Sequence, residues 1–249
     1  MSGHSKWHSI RHKKAVVDAK RGAMFTRLIK EIAVAARMGG SDIDGNPRLR
    51  TAVTAARDAN MPKENIERAI KKGAGELEGV SYEDFTLEGY GQAGVAILVE
   101  GTTDNKNRTI PEIRAIFNKG GGSLGAQGCV AWMFTKRGVI LIPTQGQSEE
   151  TVMEAALEAG AEDLENEGEY YRILTEPNQM EDVRAAIEAK GIKVESSSLR
   201  NIPSTTVKVE GEDAPKLLRL LEALEEHDDV TSVSANEEID DAVLEQYAQ

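Results

Sequence analysis

One cysteine, Cys129, is all the sequence contains, so it forms no internal disulfide and no multi-cysteine zinc site. Cys129 opens the apolar run Cys129 to Phe134, where the expected role is that of a small buried hydrophobe. Aromatic residues make up only 4% of the chain, so its cores must come chiefly from Leu, Ile, Val and Ala. Long apolar runs are missing as well. The longest, such as Val139 to Pro143, have the length of a strand, far short of the ~20 residues that span a bilayer. The opening residues, Met-Ser-Gly-His-Ser-Lys-Trp, hold no apolar segment of the signal-peptide kind. A cytoplasmic protein with no membrane partner is expected.

Catalytic groups are equally scarce. Of four histidines, three fall in the first twelve residues, and the fourth, His227, ends an acidic helical stretch. No nucleophile–base pair and no pair of catalytic acids is recognisable. Neither an enzyme nor a cofactor or small-molecule substrate is expected. His4, His8 and His12 are spaced to share a helical face. Lys6, Arg11, Lys13 and Lys14 surround them and no carboxylate completes a ligand set, so a metal is not expected there.

Charge is present in abundance and unevenly placed. The whole chain carries −12, which ordinarily speaks against nucleic acid. Residues 1–75, however, hold 16 Lys and Arg against 7 Asp and Glu, whereas residues 76–249 hold 14 against 35. A basic module therefore precedes an acidic body, and such asymmetry points to a polyanion at the basic end. The acidic body would repel phosphates and orient that encounter.

A length of 249 residues fits two or three domains. The first ~20 residues read as a basic arm that orders on binding. From Ala23 to Arg37 the positions Met24, Phe25, Leu28, Ile29 and Ile32 follow helical spacing. Asn46-Pro47 starts a second helix, which ends near Ala59. A third runs from Pro62 to Gly73. Beyond residue 78 the period changes. Strands are expected at 85–90, 95–99, 129–134, 138–143, 169–175, 192–197, 205–209 and 230–235. Helices are expected at 110–119, 149–159, 178–190 and 213–226. The predicted class is α+β: an N-terminal all-α three-helix domain (1–78), a middle ferredoxin-like α/β sandwich (79–134 with 205–249), and a second such sandwich (135–204) inserted into it.

The candidate contacts follow from these placements. Lys6, Arg11, Lys13, Lys14, Lys20, Arg21, Arg27 and Lys30 supply cations for phosphate, and Trp7 can stack on an unpaired base or anchor the arm. Asn107 and Arg108 precede a helix whose N-terminus suits either an anion or simple capping. Gly121 and Gly122 lie in a glycine-rich turn whose amides either cradle a phosphate or serve the turn alone. That turn follows a helix and lacks the Lys-Ser/Thr of a nucleotide loop. The acidic run Glu162 to Glu169 reads as a solvated loop.

Four blocks resemble the YebC/PmpR family: GHSKWHSIRHKKAVVDAKRGAMFTRLIKEI, NPRLRTAVTAARDANMPKENIERAIKKGAGE, EGYGQAGVAILVEGTTDNKNRT and GGSLGAQGCVAWMF. Their order is that of the family, and the similarity spans the chain. The resemblance implies three domains, the middle one completed by the C-terminal segment. It also implies a role in gene expression, described in two ways. Some members are treated as DNA-binding transcriptional regulators. Others, including the mitochondrial activator of cytochrome oxidase translation, look like ribosome-associated translation factors that help synthesis of proline-rich stretches. The partner is then RNA of the ribosome or transfer RNA, with ribosomal proteins at hand, or DNA. A protein-interaction adaptor working through the acidic domains is the third alternative.

Overall fold

The computed structural model describes residues 18–77, 81–240 and 242–244. It opens on three helices, α1 (Asp18–Gly39), α2 (Pro47–Asp58) and α3 (Lys63–Gly73). Their apolar positions recur at helical spacing and meet in one cluster: Ile32, Ala35 and Ala36 with Leu49, Ala52, Val53, Ala56, Ile66 and Ala69. Small residues let the axes come close. A Cβ on Gly73 would stand 2.2 Å from the carbonyl oxygen of Ala33, so no larger residue fits where α3 ends against α1.

Asn46 joins the first two helices. Its side-chain oxygen accepts the N–H of Leu49 at 3.1 Å and so caps α2. Its amide donates to the carbonyls of Ala35 and Gly40, at 2.8 and 2.9 Å, near the end of α1.

The chain continues through β1 (Glu83–Tyr90), β2 (Ala96–Thr103), α4 (Lys106–Lys119) and β3 (Ser123–Leu124). Next come β4 (Phe134–Pro143), α5 (Glu149–Glu158), β5 (Asp163–Asn166), β6 (Tyr170–Thr175), α6 (Met180–Ala189) and β7 (Ser196–Pro203). The last elements are β8 (Val207–Lys208), α7 (Asp213–Glu226), β9 (Val230–Ala235) and β10 (Glu237–Glu238). Residues 135–202 form one compact unit; the helices and the first sheet belong to the other.

The first sheet has the order β3-β1-β2-β9, with every neighbouring pair antiparallel. The crossover β2–α4–β3 straddles β1, and α7 returns the chain to add β9 on the far side of β2. This is the ferredoxin-like arrangement with one hairpin strand moved to the front of the chain. Its core joins Ile97 and Val99 to Ile113 and Phe117 of α4 and to Leu217, Leu221 and Leu224 of α7. The inserted unit runs β4–α5–β5–β6–α6–β7 in the order β5-β6-β4-β7, the ferredoxin-like fold in its usual chain order. Ile140, Ile142, Val152, Ala156, Ile173, Val183 and Ile187 fill its core. The class is therefore α+β, a helical bundle followed by two sheet-containing domains.

Five expectations of detail are corrected. The run Glu162 to Glu169 is not all loop: Asp163–Asn166 form β5, paired with β6. Residues 129–134 are not a strand: Ala131–Met133 form a 3-10 turn and β4 begins at Phe134. Cys129 is half-buried rather than buried. The strand expected at 192–197 lies instead at Ser196–Pro203, because Ile192 plugs the core and the polar serines gain their pairing from β4. The segment 205–209 does not enter the four-stranded sheet. Only Val207 and Lys208 pair, in parallel with β10, because the buried Asn236 holds them there: Val207 donates its N–H to the Asn236 carbonyl at 2.7 Å, and the Asn236 amide donates to Thr205.

Replacing Asn46 by Ala removes the cap of α2 and the bonds to the carbonyls of Ala35 and Gly40. The expected loss is about 1–3 kcal/mol, read as a lower urea midpoint for the helical transition of the full chain.

Candidate nucleic-acid interface

Lysines and arginines of the helical part fall into two groups, and the first is turned inward. Arg27 is half-buried, and its Nη2 donates to the carbonyls of Glu225 at 2.5 Å and His227 at 3.1 Å, at the end of α7. Lys30, one helical turn on, is buried and pairs with Asp229 at 2.5 Å. Arg37 bonds Ser81 and the carbonyl of Tyr82 just before β1. Arg48 reaches Glu31 and Asp84, each at 2.7 Å. These four cations fasten the helices to the first sheet.

Asp229 is the centre of that attachment. It immediately precedes β9, and its side chain is 2% exposed. One oxygen receives Lys30. The other receives Arg108 Nη2 and Thr109 Oγ1, both at 2.6 Å, and Thr103 Oγ1 at 3.1 Å. Burial pushes the Asp229 carboxyl upward, but the bonds from Lys30, Thr109 and Arg108 outweigh it and hold the pKa far below the usual carboxylate range. The Asp229 backbone is held too, its carbonyl accepting the N–H of Thr102 at 2.8 Å.

Arg27 and Lys30 were expected to meet phosphate, and the structure gives them this internal work instead. Arg108 is similarly occupied, bridging Asp229 and Asp104, although its side chain remains 45% exposed. Asn107 is exposed, while Asn105 caps α4 by accepting the N–H of Arg108 at 3.2 Å. The amides of Gly121 and Gly122 donate to the carbonyls of Asn118 and Phe117, closing the C-terminus of α4. They are consumed by that turn, so no phosphate cradle remains there. Lys20 and Arg21 lie in the first turns of α1. Lys6, Trp7, Arg11, Lys13 and Lys14, with His4, His8 and His12, lie outside the described residues.

The second group of cations points outward. Arg57 at the end of α2 and Arg68 and Lys71 on α3 stand exposed. On α4, Arg114 and Lys119 do the same. Among the described residues, no group of three or more His, Cys, Asp or Glu is placed to hold a metal ion. Nor is any helix there long and apolar enough to cross a membrane.

Beyond the glycine-rich turn lies a feature that charge counting overlooks. Glu88, in the middle of β1, is 5% exposed. Its carboxylate accepts the N–H groups of Gly128 at 2.6 Å, Val130 at 2.7 Å and Ala131 at 2.8 Å. Burial raises its pKa, and these three bonds together lower it below the ordinary value. They also fold residues 128–131 into a tight turn, which is why this apolar run is not a strand. The turn leaves Trp132 74% exposed and Tyr90 38% exposed. Both side chains donate to one acceptor, the carbonyl of Cys129, at 3.1 and 3.2 Å.

Comparison with known proteins covers both parts of this description. The family model described as the TACO1/YebC protein N-terminal domain matches residues 5–76, and that of the TACO1/YebC second and third domain matches residues 82–237. The chain belongs to the TACO1/YebC family. Relatives named "Probable transcriptional regulatory protein" come from Desulfatibacillum aliphaticivorans and Persephonella marina. Each is 56% identical over 98% of this chain, covering 100% and 99% of the respective relative. The crystal structure of a conserved hypothetical protein, Aq1575 from Aquifex aeolicus, is 50% identical and superposes with a TM-score of 0.84, over 91% of this chain and 94% of that one. TACO1/YebC proteins are linked to regulation of gene expression, and the basic arm, the Asp229 centre and the Glu88 turn all lie inside the matched residues.

The two buried carboxylates make different predictions. Asp229→Asn leaves Lys30 buried beside a neutral amide, and the expected cost is on the order of 3–5 kcal/mol. Lys30→Met leaves Asp229 with Arg108 and two hydroxyls, so the loss should be smaller, about 1.5–3 kcal/mol. Because the folded pKa of Asp229 lies below its unfolded value near ~3.9, its stabilisation is complete above that value. It is lost as pH falls through the lowered folded pKa. Urea midpoints measured from neutral to acid pH should therefore drop for the parent chain and run flatter for Asp229→Asn. Glu88→Gln replaces one acceptor by a donor facing N–H groups, and should speed proteolytic cleavage within residues 125–132.

Proposed function

We propose that this protein is a cytoplasmic, ribosome-associated translation factor that contacts ribosomal or transfer RNA and eases synthesis of proline-rich stretches. The observation that carries the reading is the separation of charge: 16 cations against 7 acids in residues 1–75, fused to a body with 14 against 35. Arg27, Lys30, Arg37 and Arg48 hold the helices to the sheet, so the reading assigns phosphate to Lys6, Arg11, Lys13 and Lys14 of the sequence and to the exposed Arg57, Arg68 and Lys71. Trp7 adds an aromatic plane for an unpaired base. A basic arm on a small helical scaffold suits RNA, which is recognised through shape and splayed bases.

DNA binding as a transcriptional regulator is the second reading, favoured by the names that the relatives carry. Against it stands the mixed face of α3, where Glu64 and Glu67 share the exposed surface with Arg68 and Lys71. Such a mixed face does not single α3 out as a helix that reads base edges.

The test is sedimentation of cell lysate through sucrose at low and moderate salt. The protein should travel with ribosomes, and replacing Lys6, Arg11, Lys13 and Lys14 by Ala should leave it at the top. In purified binding to RNA the salt slope should fall by about 1 for each phosphate contact removed. A protein that stays at the top of both gradients but selects promoter fragments would establish the DNA reading.

A further inference from the structure

We propose that the Glu88-organised turn is a second nucleic-acid contact, in which Trp132 stacks on an unpaired nucleobase. The inference rests on the reading of the chain as an RNA-binding protein and adds a site on the first sheet.

The first support is the way Trp132 is held. A large aromatic ring 74% exposed to water is normally mobile. Here its Nε1 is fixed on the Cys129 carbonyl, and the Tyr90 hydroxyl bonds the same oxygen. Indole has a single donor, so once that donor is engaged the ring has only its π-face to offer. A face without a free donor favours stacking, which accepts any base.

The second support is the foundation beneath it. Glu88 is buried with no cation bonded to it, and three backbone N–H groups satisfy it. Such a carboxylate is costly to bury, and the turn it shapes buries Val130 while leaving Trp132 and Tyr90 in water. The chain before the turn packs closely on it: at Gly125 a Cβ would stand 2.5 Å from the Cys129 sulfur.

The third support is charge. The chain holds 42 acidic residues in 249, yet none occurs between Glu112 and Glu149. At the average density that interval would contain about six. It carries Arg114 and Lys119, exposed on the helix leading into the turn. Within the first unit the acid-free stretch runs from Ile113 to Phe134, so along the chain the Trp132 turn lacks the flanking acids common elsewhere in the body.

The experiment uses the full chain with Trp7→Phe, so that Trp132 is the only tryptophan. Short single-stranded oligoadenylate is titrated, with a blunt RNA duplex as control. Single strands should quench Trp132 emission, and the duplex should not. Trp132→Leu, read by anisotropy of a labelled oligoadenylate, should bind about ten-fold more weakly or worse, and Trp132→Phe should recover most of the affinity. Because no ion pair is lost, the salt slope should be unchanged for Trp132→Leu and reduced for Arg114→Ala with Lys119→Ala. If Trp132→Leu alters folding, the quench in the Trp7→Phe chain decides alone. Unchanged emission, with binding that depends on the arm only, overturns this inference and leaves the RNA reading standing. Failure of every variant to bind any nucleic acid sinks both. Loss of ribosome cosedimentation in Trp132→Leu with intact oligoadenylate binding would assign the ring to a protein partner and likewise overturn the proposal.

Discussion

A single carboxylate taken out of water joins the helical part of this protein to its first sheet. Asp229 has no solvent to satisfy it, so Lys30, Arg108, Thr103 and Thr109 must all be in place. They come from three stretches of chain: Lys30 from α1, Arg108 and Thr109 from the first turn of α4, and Thr103 from the end of β2. The arrangement is demanding because an uncompensated buried charge is expensive. That demand gives it specificity, since the helices can dock in one position only if Lys30 is to meet its partner. The flanking bonds of Arg27, Arg37 and Arg48 are more exposed and contribute less.

This allocation of cations bears directly on function. Positive charge in residues 1–75 looks uniform along the sequence, but folding sorts it. Cations on the inner side of α1 and the start of α2 become structural. Among the described residues, those at the end of α2 and on α3 remain open to a polyanion. The net positive field at that end is therefore weaker than a residue count suggests. A counterweight exists in the acid-free interval around the glycine-rich turn, where the body stops opposing phosphate.

Much of the architecture was readable from pattern alone. The helices at 149–158 and 213–226 and the strand at 230–235 follow from apolar spacing, because each buries one face against a core made of Leu, Ile and Val. What escaped depended on contacts between distant residues. Lys30 looks like any helical lysine until Asp229, 199 residues away, is brought beside it. Cys129 to Phe134 reads as a strand because the apolar run carries no sign that Glu88, forty residues earlier, will bend it. The strand expected at 192–197 lies further on, at Ser196–Pro203, because nothing within the polar run Ser198 to Asn201 announces its pairing with β4. Tyr90 and Trp132 carried no signal as a pair, since only the turn makes them share an acceptor.

The insertion of residues 135–202 ahead of α7 and β9 has a temporal side. During synthesis the three helices leave the ribosome early, with Lys30 and Arg27 solvated and positively charged, while Asp229 has yet to be made. At about 5–20 residues per second the wait is roughly 10–40 s. Over that interval α1 presents a more cationic surface than it does in the finished molecule, next to a ribosome built of phosphate. The clasp closes last, so the completed chain is less adhesive than its own nascent form.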